Sequence, residues 1–202
     1  MFPILPAAQP SAPRGHRWSG RLLALALCAP WWAFAQGSAT PLAAPPLQTV
    51  ERLEVSRYLG TWYEIAKFPN RFQRQCVADT QALYRWREEG QLEVINRCRQ
   101  ADGHIAEAVG RARQAGAADS PRLAVRFAPA WLAWLPAVWG DYWVIDLDPD
   151  YRLVAVSEPR REYLWVLSRT PQVDTAAYQA LLRRLQAQGF DLTRLETTPQ
   201  SR

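Results

Sequence analysis

Alternation at strand period runs through most of this chain. Over residues 59–68, Trp62, Glu64, Ala66 and Phe68 share one face, and Tyr63, Ile65 and Lys67 share the other. Both faces carry large apolar groups, which predicts a strand covered on both sides. Gly60 at its head leaves room for the backbone to pass close under a bulky neighbour. Similar runs occupy residues 77–86 and 92–98 around a turn at 88–90, and residues 104–114 and 123–127 around a turn at 116–121. Residues 139–147 and 151–157 flank the turn Asp148-Pro149-Asp150, and residues 161–169 form the last long run. Gly110 interrupts one run and predicts a bulge there. The period then changes. Tyr178, Leu181, Leu182 and Leu185 fall on one helical face, with Asp174 placed to cap the start and Gly189 the end. One apolar face predicts a helix lying on the outside of the sheet. Residues 190–195 predict a further short strand. This order of elements gives an all-β fold, an eight-stranded antiparallel up-and-down barrel with one C-terminal helix packed outside. An open sandwich is the alternative.

The first 35 residues break the pattern. They hold no Asp or Glu, carry Arg14, Arg17 and Arg21, and continue into an apolar run at 22–29. Ala33-Phe34-Ala35 has the small-x-small form of a cleavage site, so residues 1–35 predict a secretory signal peptide. The apolar segment falls short of the roughly 20 residues that a spanning helix needs. Leu25-Ala26-Leu27-Cys28 also outlines a lipoprotein signal, which makes lipidation of Cys28 the alternative to cleavage after Ala35. Residues 36–50 are rich in Ala, Pro, Ser and Thr and predict a flexible leader, followed by one domain at 51–202. The formal charge is +5, but three of the 24 basic residues lie in the signal segment. No basic stripe remains to suggest nucleic acid.

Export leaves Cys76 and Cys98 as a pair in an oxidising compartment. Folding the second and third strands about the 88–90 turn brings them to the same end of that hairpin. A disulfide is expected there; two buried thiols or one reactive thiol are the alternatives. No Cys-x-x-Cys and no metal-ligand spacing occurs, and no cofactor motif stands out.

Gly60-Thr61-Trp62 at the head of a first strand, continued by Tyr63-Glu64-Ile65-Ala66, resembles the lipocalin family, and within it the bacterial outer-membrane (Blc) type and apolipoprotein D. Phe68-Pro69-Asn70-Arg71-Phe72 and Val94-Ile95-Asn96-Arg97 extend the likeness. Asp150-Tyr151 fits the family's second motif, with Pro149 in the place of its threonine. Tyr163-Leu164-Trp165-Val166-Leu167-Ser168-Arg169-Thr170-Pro171 fits the third. The likeness spans about residues 50–197. It implies a closed barrel whose base is stoppered by Trp62 with Arg169 over its indole, near Gly60, and whose mouth is crossed by the loop after Phe68. It also places Glu64, Ala66, Phe68, Ala82, Tyr84, Leu92, Val94, Val125, Phe127, Tyr142, Val144, Ala155, Ser157, Tyr163, Trp165 and Leu167 on the inner wall. Small residues set against aromatics there imply a hollow for an acyl chain, with the hydroxyls of Tyr84, Tyr142 and Tyr163 orienting a polar end. The alternative is a solid core.

Glu64 in an apolar barrel must be paired, hydrated or protonated. It reads either as a contact to a ligand head group or an internal arginine, or as a hydrated carboxylate near the wet end. Residues 130–139 are almost wholly apolar although they link two strands. Burying each tryptophan there removes roughly 200 Å² from water, an upper bound on the order of 5 kcal/mol. Trp131 and Trp134 therefore predict contact with a membrane surface or a second subunit; the alternative is a loop folded back over the pocket. Beyond the signal segment His104 is the one histidine, which leaves little for a nucleophilic triad. The resemblance implies a non-enzymatic carrier or store for a fatty acid or lysophospholipid at an outer membrane, serving membrane maintenance, and a homodimer. A lipid-modifying enzyme using Glu64 as base and a structural envelope protein with a filled barrel are the alternatives.

Overall fold

The computed structural model describes residues 45–87 and 91–201. The signal segment, Cys28 and the turn at 88–90 lie outside the described residues. The described elements are α1 (Val55–Tyr58), β1 (Gly60–Lys67), β2 (Cys76–Trp86), β3 (Leu92–Gln100), β4 (Ile105–Gln114), β5 (Arg122–Arg126), β6 (Gly140–Leu147), β7 (Leu153–Ser157), β8 (Leu164–Ser168), α2 (Thr175–Ala187) and β9 (Glu196–Thr197). Sequential strands β2 to β8 pair antiparallel, and β1 pairs with both β2 and β8. That double pairing closes the barrel and excludes the open sandwich. The short final strand falls at 196–197 rather than 190–195, because Asp191 caps a 3-10 turn at Leu192–Arg194 instead.

The barrel has a filled interior and a second apolar layer outside it. Inside lie Leu53, Val55, Tyr58, Trp62, Ala82, Tyr84, Leu92, Val94, Leu123, Val144, Val154, Val156 and Leu167, all buried. The outer layer joins Leu181 and Leu185 of α2 to Ile65, Leu153, Leu164, Val166 and Phe190. Asp174 caps α2 by accepting from Ala177 N at 2.8 Å, as its position predicts. Leu47 also seals this layer, and Val50 N donates to Val144 O at 3.0 Å. Residues 45–50 are thus packed on the barrel rather than a free leader.

Four of the expected inner-wall residues face outward instead. Simple alternation fails in β1, where the register with β8 shifts between Glu64 and Ala66. The extra residue at Ile65 turns Ala66 and Phe68 into the layer under α2, and brings Lys67 opposite the inner-facing Trp165. A second shift between Val144 and Asp146 lies opposite β7, where Val154 and Val156 face in while Ala155 faces α2. Ser157 lies opposite the outward Leu164, and its hydroxyl donates to Tyr163 O. Gly110 marks no bulge; β3 and β4 stay in register through it. The glycine instead makes room for Phe127, whose ring would lie 2.7 Å from a Cβ there.

Trp62 and Arg169 close the base. The Arg169 guanidinium lies 3.9 Å from the Trp62 ring centroid. It donates to the carbonyls of Leu59 (2.7 Å), Thr61 (3.1 Å), Arg57 (2.6 Å) and Tyr151 (3.1 Å). Trp62 Nε1 donates to Tyr58 O at 2.8 Å. Gly60 has φ 93°, and a Cβ there would sit 3.3 Å from Arg169 Nη1, so both its freedom and its lack of a side chain are used.

The loop after Phe68 lies across the opposite end. Cys76 and Cys98 form a disulfide there, with 22 residues of separation; loop closure of that length contributes about 3 kcal/mol in the chain-entropy model. The chain terminus is wedged into the seam where β1 and β2 diverge. Thr198 N donates to Ile65 O at 2.9 Å, Asp79 N donates to Pro199 O at 2.8 Å, and Gln200 Nε2 bridges the carbonyls of Glu64 and Thr80.

Candidate functional site at the barrel mouth

Toward the closed end, where Tyr84 pairs with Gly60 and Tyr58 packs on Trp62, the Tyr142 hydroxyl lies 2.8 Å from that of Tyr58 and 2.7 Å from that of Tyr84. Burial raises all three above the ordinary phenol range, Tyr84 to about 12, so the cluster is neutral at physiological pH. These hydroxyls are committed to one another, so Tyr84 and Tyr142 form the floor of a site rather than its head-group contacts. Below them Leu53, Val55 and Trp62 are buried in the same apolar cluster. Two concavities, of about 430 and 290 Å³, lie on the outer wall, one beside α2 and the other around Asp79 and Arg97.

Above the floor the inner wall is aromatic and half-buried. Tyr163 and Trp165 stack with centroids 5.7 Å apart, and Phe72 packs on Tyr163 at 5.5 Å. Val125 and Trp165 flank this space, and Phe127, 44% exposed, stands at the rim. The loop after Phe68 roofs it. Asn70 accepts from the backbone N–H groups of Phe72 and Gln73, which shapes a single 3-10 turn and aims Gln73 inward.

Glu64 is the polar centre of this roof and is only 2% exposed. Its Oε2 accepts from Gln73 Nε2 at 2.6 Å, and its Oε1 accepts from the Thr198 hydroxyl at 2.6 Å. Gln73 Oε1 in turn accepts from Trp165 Nε1 at 2.8 Å. The indole N–H can only donate, so it fixes which end of the Gln73 amide faces Glu64. Glu64 is therefore paired, not hydrated. Gln73 and Thr198 carried no signal in the sequence. They are ordinary polar residues in a loop and a tail, and only the fold brings them to Glu64.

Burial pushes the Glu64 carboxyl above its ordinary value of 4.5, against the opposing effects of Thr198, Gln73 and Lys67. The folded protein thus holds this proton more tightly than the unfolded chain, and the associated stability is lost as pH rises from 4.5 through the raised value. Glu64→Gln keeps an oxygen for Gln73 and an amide for the Thr198 hydroxyl. Denaturant titration across that pH range is expected to show wild type losing stability relative to Glu64→Gln as pH rises. A constant difference would contradict the burial-driven shift.

In the apolar segment between β5 and β6 neither Trp131 nor Trp134 packs down into the protein. Trp131 and Trp134 are 73% and 76% exposed. The segment is braced from beneath. Arg126 donates to the carbonyls of Ala128 (2.9 Å) and Pro129 (2.6 Å), and Trp139 Nε1 donates to Ala133 O at 2.8 Å.

Comparison with known proteins agrees with this architecture. A family model for the lipocalin-like domain matches residues 53–200. Temperature-induced lipocalin-1 of Arabidopsis thaliana is 40% identical over 157 residues, covering 77% of this chain and 83% of that protein. The outer membrane lipoprotein Blc of Escherichia coli K12 is 36% identical over 175 residues, 86% and 94% of the two chains. Mouse apolipoprotein D is 31% identical over 165 residues, 78% and 82% of the two. Insecticyanin of Manduca sexta shares the fold, with a TM-score of 0.61 at 18% identity over 78% of this chain and 86% of its own. A closed barrel stoppered by Trp62 and Arg169, matched over nearly all the described residues, places this chain in the lipocalin family.

Proposed function

We propose that this protein binds and carries a single-chain lipid, a fatty acid or lysophospholipid, for maintenance of the bacterial envelope. The observation that carries this reading is the aromatic group at the end opposite Trp62, where half-buried Tyr163 and Trp165 stack, Phe72 packs on Tyr163, and Phe72 and Phe127 are exposed. It stands under a loop held there by side-chain contacts, between the end of β1 and the start of β2, so no strand pairing breaks when the loop lifts. An acyl chain entering there leaves water for aromatic and aliphatic surface. Export, to the periplasm or the outer membrane, fits the disulfide and the leader segment. The Blc relatives, described as outer membrane lipoproteins, support that location and an acylated Cys28.

Binding rather than catalysis fits Glu64 best. Both its oxygens are engaged, and His104 is a solvent-facing partner of Asp102 rather than part of the mouth network. Incubation with a fluorescent lysophospholipid tests this reading. One mole taken up per mole of chain with no chemical change is expected. Turnover would make the protein an enzyme, and no uptake would make it a structural barrel.

The exposed tryptophans extend the proposal to a membrane surface. Trp131 and Trp134 stand on the rim through which the lipid passes, on a segment braced from below. Amphipathic rings of this kind favour the water–lipid boundary. Replacing both with Ser is expected to weaken partition onto phospholipid vesicles at least tenfold, about 1.4 kcal/mol, with fold and lysolipid uptake retained. Unchanged vesicle binding, or loss of a homodimer in its place, would reassign the patch.

A further inference from the structure

We propose that the mouth selects lipids with an uncharged N–H-bearing head, of the carboxamide type, over lipids that end in a free carboxylate, with Glu64 and Trp165 as the selecting groups and Gln73 as an internal occupant of the head-group position. The inference rests on the carrier reading and narrows the class of ligand.

Gln73 joins Glu64 to Trp165. Its carboxamide presents an N–H donor to Glu64 Oε2 at 2.6 Å and a carbonyl acceptor to Trp165 Nε1 at 2.8 Å. Phe72 beside it is 55% exposed, and Arg71 and Arg74 are exposed as well. The side chain belongs to the loop that must lift when a ligand enters. Its departure strips one partner from a buried carboxylate and one from a half-buried indole N–H. Leaving such groups unmatched is costly, so a ligand that replaces Gln73 must bring both a donor and an acceptor. The carboxamide itself shows the required spacing, with donor and acceptor on one carbon.

A carboxylate head fits poorly. It offers only acceptors, and it places a second negative charge against Glu64 in a buried site. The other charges facing this space do not correct that. Lys67, opposite Trp165, is tied to Glu196 at 3.2 Å, and the Arg71 guanidinium, 5.0 Å from the Phe72 ring centroid, sits on the loop that lifts, so neither cation is held against Glu64. Neutral groups complete the wall. The Thr198 hydroxyl donates to Glu64 Oε1, and Gln200 Nε2 donates to the carbonyls of Glu64 and Thr80, with Thr80 Oγ1 buried and without a hydrogen-bond partner among the described residues. Either hydroxyl can accept from a second amide N–H.

Oleamide and oleate differ only in the head, so calorimetric titration of the folded chain with each at neutral pH tests the inference. Oleamide is expected to bind at least tenfold more tightly than oleate. Glu64→Gln removes the charge and is expected to reduce that ratio to within about threefold, chiefly by a gain in oleate affinity. Gln73→Ala removes the internal occupant and is expected to strengthen oleamide binding roughly threefold or more. This variant carries the test should Glu64→Gln fail to fold. Equal or tighter binding of oleate by wild type overturns the selection while leaving the carrier reading intact, as does a ratio unchanged by Glu64→Gln. Weaker oleamide binding by Gln73→Ala overturns the role of Gln73 as occupant. Binding of neither ligand by wild type or Gln73→Ala overturns the carrier reading, and this inference with it.

Discussion

Trp62→Ala is expected to destabilise the protein by about 4 kcal/mol, the range for removing a large aromatic from a packed core. Trp62 is fully buried at the base of the barrel, stacks near Tyr58 with centroids 4.9 Å apart, and is covered by the Arg169 guanidinium. The cavity left by its loss cannot collapse easily. The strands around it are closed into a cylinder, and β1 is paired on both sides. For a domain of this size the loss corresponds to a fall of roughly 10 °C in melting temperature. Thermal unfolding by circular dichroism measures it. A drop under about 1 kcal/mol would mean that the indole is not a structural stopper.

Arg169→Ala is expected to cost about 3 kcal/mol by a different route. The side chain collects four backbone carbonyls, from Arg57, Leu59, Thr61 and Tyr151, which tie α1, the entry to β1 and the β6–β7 turn together at one point. Its loss leaves those acceptors to find water, although the group is partly exposed and solvent softens the penalty. Arg169→Lys keeps the charge but not the planar fork, and is expected to recover less than half of the loss. The two sites share one contact, so the double variant with Trp62→Ala should lose less than the sum of the singles, by about 1 kcal/mol. Strict additivity in denaturant titration would show that the cation and the ring do not interact.

This base was legible through the family resemblance. A glycine with a large neighbour, an indole at the head of a strand and an arginine at the end of the last one lie in sequence-local motifs, and the structure joins them as the resemblance implied. The helix was equally legible, because Leu181 and Leu185 follow its period and Asp174 its cap. The inner wall was legible only where alternation was unbroken. Ala66 and Phe68 went to the outer layer because one extra residue at Ile65 reverses the face, and no residue type announces such a shift. Ala155 and Ser157 face outward by the unbroken alternation of β7 itself, opposite Val166 and Leu164, so there the resemblance gave the wrong phase. The hollow expected through the barrel is filled from below by Leu53 and Val55, which precede β1 and plug it from the chain's own N-terminal side. The mouth network escaped notice for another reason. Glu64 drew attention as a buried carboxylate, but its partners lie nine residues and 134 residues away, in a loop and a tail without periodicity.

The proposed carrier is a barrel shut at the base by Trp62 and Arg169 that opens at its mouth to hold one lipid chain. Mass spectrometry of the protein purified without detergent, under conditions that keep non-covalent complexes, tests this most directly. One single-chain lipid bound per polypeptide is expected, released when the chain is denatured. A bare polypeptide that also fails to take up added lysophospholipid would contradict the claim.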